Sequence, residues 1–271
     1  WKLMERLNMR RESLHLQNVY FKKDSDRNPI WLDTYEYAIL KSEYENLNIK
    51  KFRDENGLFL VEGEHLVEEA SKSGLLKEII ILDGNDYGYN VNKIYVTSNV
   101  MKTISTLDSL PSIIGVCDKN INKVLGDKVL ILDNIQDPGN LGTIIRSAVA
   151  FNIDTIIASP DTVDIFNSKV IRASQGMIFH INYIVDNLSE RLKNLKENNY
   201  KILSTKVTGG KSLKSVEKMK KFAIIMGNEG NGVSSYLQDL SDELLYIDMN
   251  NNCESLNVAV ATSIILYELS K

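Results

Sequence analysis

Three polar loops, each following an apolar run of strand length, carry the residues best suited to chemistry. The first reads Asp133-Asn134-Ile135-Gln136-Asp137-Pro138-Gly139-Asn140-Leu141-Gly142, and Thr143-Ile144-Ile145-Arg146 follows. Gly139 and Gly142 let the backbone turn sharply and let a ligand approach it. Asn140 is placed to cap the next helix, whose N-terminus favours an anion. Arg146 lies about one and a half turns further on and can reach back over that end. Taken alone, an ordinary strand-to-helix turn with a surface arginine explains this loop as well.

The second loop is Gly227-Asn228-Glu229-Gly230-Asn231-Gly232. Its three glycines leave the backbone bare, and Glu229 is a carboxylate able to orient a cation. The spacing differs from the Gly-x-Gly-x-x-Gly of dinucleotide sites, and the bland alternative is a flexible turn. The third loop runs Asp248-Met249-Asn250-Asn251-Asn252-Cys253-Glu254 into Ser255-Leu256-Asn257. Ser255 is expected to cap the last helix, with Asn257 in its first turn; here the alternative is a plain helix start. Polar loops at three strand ends of one sheet say more than any one of them.

Other signals fall short. Gly209-Gly210-Lys211-Ser212 ends like a P-loop, but the first glycine of that motif would fall at Thr205, and no strand–loop–helix frame surrounds it. His65 with Glu68 and Glu69 reads as the solvated acidic face of a helix, and no metal site is expected. Cys253 has no histidine nearby in sequence to activate it and reads as a bystander thiol. His180 reads as structural.

The elements around these loops alternate. Strands are expected at 58–61, 78–82, 93–96 and 113–117, with helices at 64–73 and 98–105, which suggests a small α/β sandwich. Residues 119–127 read as a polar linker. Apolar strands follow at 129–132, 155–158, 201–203, 222–226 and 244–247, with helices at 141–151, 188–198, 234–239 and 255–269. Such continuous apolar strands separated by helices indicate a mostly parallel sheet buried on both faces, whose ligands sit outside the carboxyl ends of the strands. Near the N-terminus, 5–19 and 31–51 show weak helical spacing on either side of a polar breaker at 22–29.

At 271 residues the chain suits one large or two modest domains, and 43% hydrophobic with 25% charged residues excludes global disorder. No apolar run approaches the roughly 18–20 residues of a membrane span, and no signal segment opens the sequence, which starts at Trp1 rather than Met. Two distant cysteines, Cys117 and Cys253, argue against a disulfide scaffold, so a reduced, cytoplasmic protein is expected. The net charge of −4 does not favour nucleic acid, but 206–221 carries six lysines against one glutamate, so a local basic face permits an RNA partner.

Taken together, the segments 137–148, 225–233 and 254–261 resemble, in order, the three motifs of the SpoU (TrmH-like) ribose 2′-O-methyltransferases. The run from Asn167 to Ser174, with Gly176, Phe179 and His180, resembles the family's intervening segment, and Phe59-Leu60-Val61-Glu62-Gly63 resembles the opening of its substrate-binding domain. The resemblance implies an α/β fold with a C-terminal trefoil-knotted parallel-sheet methyltransferase domain at 128–271, a small substrate-binding domain at 42–118, and an extension of open role at 1–41. It implies S-adenosylmethionine as cofactor, held by Thr205, Met226, Gly227, Ile247, Met249 and Leu256. Asn140, Arg146, Glu229, Ser255 and Asn257 would surround the reacting centre of a homodimer. It implies methyl transfer to a ribose 2′-hydroxyl of RNA, ribosomal before transfer RNA by the two-domain layout. The alternatives are a non-catalytic RNA binder of the same fold and a base methyltransferase. Arginine is a poor proton acceptor, so Arg146 is expected to clamp a phosphate and stabilise a developing alkoxide. Asp248 stands where the family usually has proline and Asn251 where it has glycine.

Overall fold

The computed structural model describes residues 10–23, 29–38, 44–121, 124–207, 209–250 and 252–270, with the backbone alone for 10–38. The helical expectation for the N-terminal segments is overturned at 10–19 and 31–38, whereas 44–48 and 50–51 are helical as expected. Strands β1 (Arg10–Lys23) and β2 (Pro29–Ala38) form an antiparallel hairpin that pairs Tyr20 with Trp31 and Leu14 with Tyr35. The cause lies in composition: Ile30, Trp31, Thr34 and Tyr35 are β-branched or aromatic residues that suit a pleated surface better than a helix. Residues 5–9 and 39–43 of those expected helices lie outside the described residues. After the short 3-10 turn Asn46–Asn48, helix α1 (Lys50–Asn56) continues past the expected end at 51 and stops at Gly57 in the left-handed region.

The first unit is a four-stranded sheet in the order β3 (Leu58–Glu62), β6 (Ile113–Asp118), β4 (Leu76–Leu82), β5 (Asn92–Val96). Helices α2 (Glu64–Lys72) and α3 (Ser98–Ile104) cover it. Side-chain alternation assigns the faces: Phe59, Val61, Ile79 and Ile81 join a core with Leu66 and Val67 of α2, while Leu60 and Ile80 join Met101 and Ile104 of α3.

The second unit is a seven-stranded, wholly parallel sheet. Its order is β11 (Lys211–Ser212), β13 (Glu243–Tyr246), β10 (Lys201–Thr205), β12 (Phe222–Met226), β7 (Lys128–Leu132), β8 (Thr155–Ala158), β9 (Asn182–Val185). Helices α4 (Pro138–Ala150), α5 (Ser168–Ser174), α6 (Leu188–Glu197), α7 (Ser235–Asp239) and α8 (Val258–Ser270) accompany it. Both faces are buried: Leu130, Leu132, Ile224 and Met226 pack towards α4 and α8, and Val129, Ile131, Ala223 and Ile225 towards α6 and α7. Such strands gain about 1.5–3 kcal/mol for each large side chain fully buried, which explains their apolar continuity.

Two helix starts differ from expectation. Asp137, not Asn140, caps α4: its Oδ1 accepts the Asn140 backbone N–H at 2.7 Å, and Pro138 takes the first helical position, where no donor is needed. Asn257, not Ser255, caps α8, its Oδ1 accepting from the backbone N–H of Ala259 at 2.9 Å and of Val260 at 3.3 Å. Both changes free a side chain for other work, Asn140 from capping and Ser255 from the helix.

Candidate active site

The loops after β7, β12 and β13 meet at the carboxyl end of the sheet. Asn134 adopts φ +60° and turns its carbonyl to the Asn228 Nδ2, which donates at 2.8 Å. Asn228 also closes its own loop. Its backbone exchanges hydrogen bonds with Gly232 at 3.0 and 2.9 Å, and its Oδ1 accepts from Gly230 N–H at 2.9 Å. Gly227 is required here, because a Cβ on it would lie 2.0 Å from the Gly232 carbonyl carbon and the Val233 nitrogen.

This folding presents Glu229 to the first loop. Its Oε1 accepts from Asn140 Nδ2 at 3.1 Å and from Asp137 N–H at 3.3 Å, and its Oε2 accepts from Gln136 N–H at 3.4 Å. Asn140 in turn accepts from Asn257 Nδ2 at 2.9 Å. One hydrogen-bonded chain, Glu229–Asn140–Asn257, therefore links all three loops. Partial burial pushes the Glu229 carboxyl up, but the Asn140 amide and the backbone N–H groups of Glu229, Asp137 and Gln136 outweigh it and hold the group below the usual glutamate range.

Beside this chain lies a cleft of about 430 Å³, a size typical of small-molecule sites. Thr205, Met226, Gly227, Ile247, Met249 and Leu256 all line it, as do Glu229 and Ser255. Its chemistry fits an adenosine-bearing sulfonium. Met226, Ile247, Leu256 and Ile265 supply apolar walls for a heterocycle, and Glu229 supplies negative charge. Lys206 supplies a cation for a carboxylate, and the glycine loop offers bare backbone for close contact. Thr205 spends its hydroxyl on the Ile225 carbonyl at 3.1 Å.

Arg146 is exposed on α4, outside both the hydrogen-bonded chain and the cleft lining. Asp248 is not among the residues lining the cleft: its Oδ2 accepts from Ser212 Oγ at 2.5 Å and lies 3.8 Å from Lys214 Nζ. Asn251 lies outside the described residues. Cys253 is exposed, its thiol donating to the Ser255 carbonyl at 3.3 Å. His65 meets the Gln175 carbonyl at 3.2 Å and His180 meets Glu69 at 2.6 Å. Among the described residues no group of three or more His, Cys, Asp or Glu side chains could hold a metal.

Three contributors escaped the sequence reading: Asp137, Asn228 and Lys206. An aspartate directly before a proline at a helix start is a recognisable cap signature and could have identified Asp137. Nothing in the spacing marks Asn228 or Lys206.

Residues 127–267 match the SpoU rRNA Methylase family, and residues 42–115 match the MRM3-like substrate binding domain. The 23S rRNA (guanosine(2553)-2′-O)-methyltransferase RlmP of Bacillus subtilis (strain 168) is 37% identical over 233 residues, which span 84% of this chain and 94% of that protein. The AdoMet-bound rRNA methyltransferase from Sinorhizobium meliloti superposes with a TM-score of 0.76 at 27% identity, over 85% of this chain and 94% of that one. The SpoU methyltransferase AviRb from Streptomyces viridochromogenes shares the fold, with a TM-score of 0.77 at 20% identity over 86% and 97% of the two chains.

Proposed function

The chain belongs to the SpoU rRNA methylase family, and on that premise we propose that it transfers a methyl group from S-adenosylmethionine to a ribose 2′-hydroxyl of ribosomal RNA. The observation that carries this reading is the Glu229–Asn140–Asn257 chain beside a cleft lined by all six expected cofactor residues. The finer reading is 23S ribosomal RNA, the substrate in the Bacillus relative's name.

Gly227, Ile247 and Leu256 hold the cofactor largely through backbone groups, between walls made by Met226 and Met249. Bound there, the cofactor supplies an electrophilic methyl group on a positively charged sulfur. Glu229, kept ionised by its three donors, fixes the Asn140 amide, and Asn140 fixes Asn257. These groups are oriented before substrate arrives, so positioning costs no reorganisation during the reaction. Ser255 adds a hydroxyl to the cleft. Arg146 would clamp the phosphate next to the target ribose and stabilise negative charge on the 2′-oxygen as its proton passes to solvent; a guanidinium suits a standing cation rather than a base.

The reading includes a homodimer. Val260, Ile264 and Tyr267 are exposed at i, i+4 and i+7 of α8, an apolar stripe of the kind that faces a partner. It also includes domains at 42–118 and 128–271, for which the family matches at 42–115 and 127–267 speak, together with an extension at 1–41 and a trefoil knot at the C-terminus. Among the described residues no helix is long and apolar enough to cross a membrane, and the proposed location is the cytoplasm, beside the ribosome. Methyl transfer to 23S RNA, free or in assembled subunits, with nucleoside analysis of the product, tests the reading. Label in a methylated base would replace it by base methylation, and RNA binding without transfer in any form of the RNA would replace it by the non-catalytic alternative.

A further inference from the structure

The segment from Asp164 to His180 takes no part in the cofactor cleft, and its Asp164, Arg172 and His180 side chains all engage the small domain. Asp164 Oδ2 accepts from Arg53 of α1 at 2.7 Å through Nη2 and 3.2 Å through Nε. The pair is buried, with side chains 4% and 13% exposed, and Arg53 also donates to the Leu47 carbonyl at 3.0 Å. Arg172 Nη1 donates to Thr106 Oγ1 at 2.7 Å and lies 3.9 Å from Glu62, whose buried carboxylate also accepts from Ser105 and Thr106. His180 meets Glu69 of α2 at 2.6 Å.

Between these polar ties the apolar core is continuous. The Phe59 ring of β3 packs on Phe166 at 4.7 Å and on Phe179 at 6.1 Å. Phe59, Val61 and Leu66 share one core with Ile178, Ile181 and Leu130. On its other side the segment is pressed against α4, where a Cβ on Gly142 would lie 2.4 Å from that of Ala173. Helix α4 carries Asn140 and Arg146.

Domains joined by a polar linker move relative to one another unless a large apolar interface holds them. Here an apolar interface is present, and a buried ion pair bridges it. Separating such a pair leaves uncompensated charge in low dielectric, so it enforces geometry even where its net contribution to stability is small. We propose that the 164–180 segment is a rigid coupling element, with Asp164 and Arg172 as positioning residues that hold the RNA-binding sheet at a fixed distance from the methyl-transfer centre. The inference rests on the proposed function for the identity of the RNA. Under it, the enzyme selects RNA partly by spacing: a ribose is methylated when it lies at the set distance from the feature the small domain grips.

The test uses the full chain with Cys253→Ser and spin labels at Asn90→Cys and Glu197→Cys, both exposed, with Cys117 buried and unreactive. Distances are read by pulsed electron resonance. The expected result is one narrow distribution, broadened by Asp164→Ala with Arg172→Ala. In that double variant kcat/KM for RNA falls at least tenfold while the Kd for S-adenosylmethionine changes less than twofold, and Arg172→Lys recovers part of the loss. Should the double variant lose cofactor binding, Arg172→Ala alone, at a half-exposed position, decides. A broad distribution in the parent, or a narrow one in the variants, overturns the proposal. A narrow distribution in a parent that transfers no methyl group would sink the functional reading and leave the rigid coupling standing.

Discussion

Replacing Gly227 by alanine separates a site built by backbone from one built by side chains. The added Cβ would lie 2.0 Å from two backbone atoms and 2.3 Å from the Gly232 carbonyl oxygen, where ordinary contact begins at 3.4 Å. Backbone cannot swing aside as a side chain can, so the 228–232 turn must shift by more than about 1 Å, an overpacking strain of about 1–3 kcal/mol. That shift breaks the reciprocal Asn228–Gly232 pair, two hydrogen bonds of about 1 kcal/mol each. A penalty of about 3–5 kcal/mol, taken from the cofactor-binding form of the loop, corresponds to a loss of about 150- to 5,000-fold in affinity. Calorimetric titration with S-adenosylmethionine measures it. Gly230→Ala is the control, since its Cβ would meet only Asn228 Oδ1, at 3.5 Å, and it is expected to bind within threefold of the parent. Equal affinities for the two variants would refute the reasoning.

Glu229→Gln removes the charge that organises Asn140, and methyl transfer is expected to fall by about 10²-fold with a smaller change in cofactor affinity, which single-turnover kinetics resolves. The Glu229 carboxyl is held below its ordinary value of 4.5; a lowered folded-state pKa stabilises the fold above the unfolded value and is lost as pH falls through the folded one. The stability difference between parent and Glu229→Gln is therefore expected to be flat from neutral pH to about 4.5 and to shrink below it, as urea titrations at stepped pH would record; a difference that fades near pH 6 contradicts this. Because Asp248 turns to Ser212 and Lys214, Asp248→Ala is expected to change the Kd for the cofactor less than threefold, and a tenfold change would show that its carboxylate reaches the cleft.

Most of the sheet was legible because strands buried on both faces must be apolar along their length, as 129–132 and 222–226 are. The strands that escaped are those with little burial to advertise. Strand β11 is two residues at the sheet edge, and β9 alternates buried and half-exposed positions. The hairpin at 10–38 is masked in sequence because its weak apolar spacing imitates a helix while its β-branched and aromatic composition suits strands. The caps were displaced because each helix start offers two candidate cappers three or fewer residues apart, and the choice falls to Pro138 in one case and to the true start at Val258 in the other. The cleft lining followed from the motif resemblance and could not have come from spacing. The links Glu229–Asn140 and Asn140–Asn257 join residues 89 and 117 positions apart, and only the shared strand-end geometry brings them together. Arg146 remains assigned by resemblance, since no contact among the described residues fixes it.

The central claim is methyl transfer to a ribose oxygen at this cleft. It is tested by incubating labelled S-adenosylmethionine and unmodified 23S RNA with the parent and with Arg146→Ala, then digesting the RNA to nucleosides. The account predicts label in a 2′-O-methylnucleoside with the parent. Arg146→Ala should give none, at nearly unchanged cofactor affinity. Label in a base, or undiminished transfer by Arg146→Ala, would contradict it.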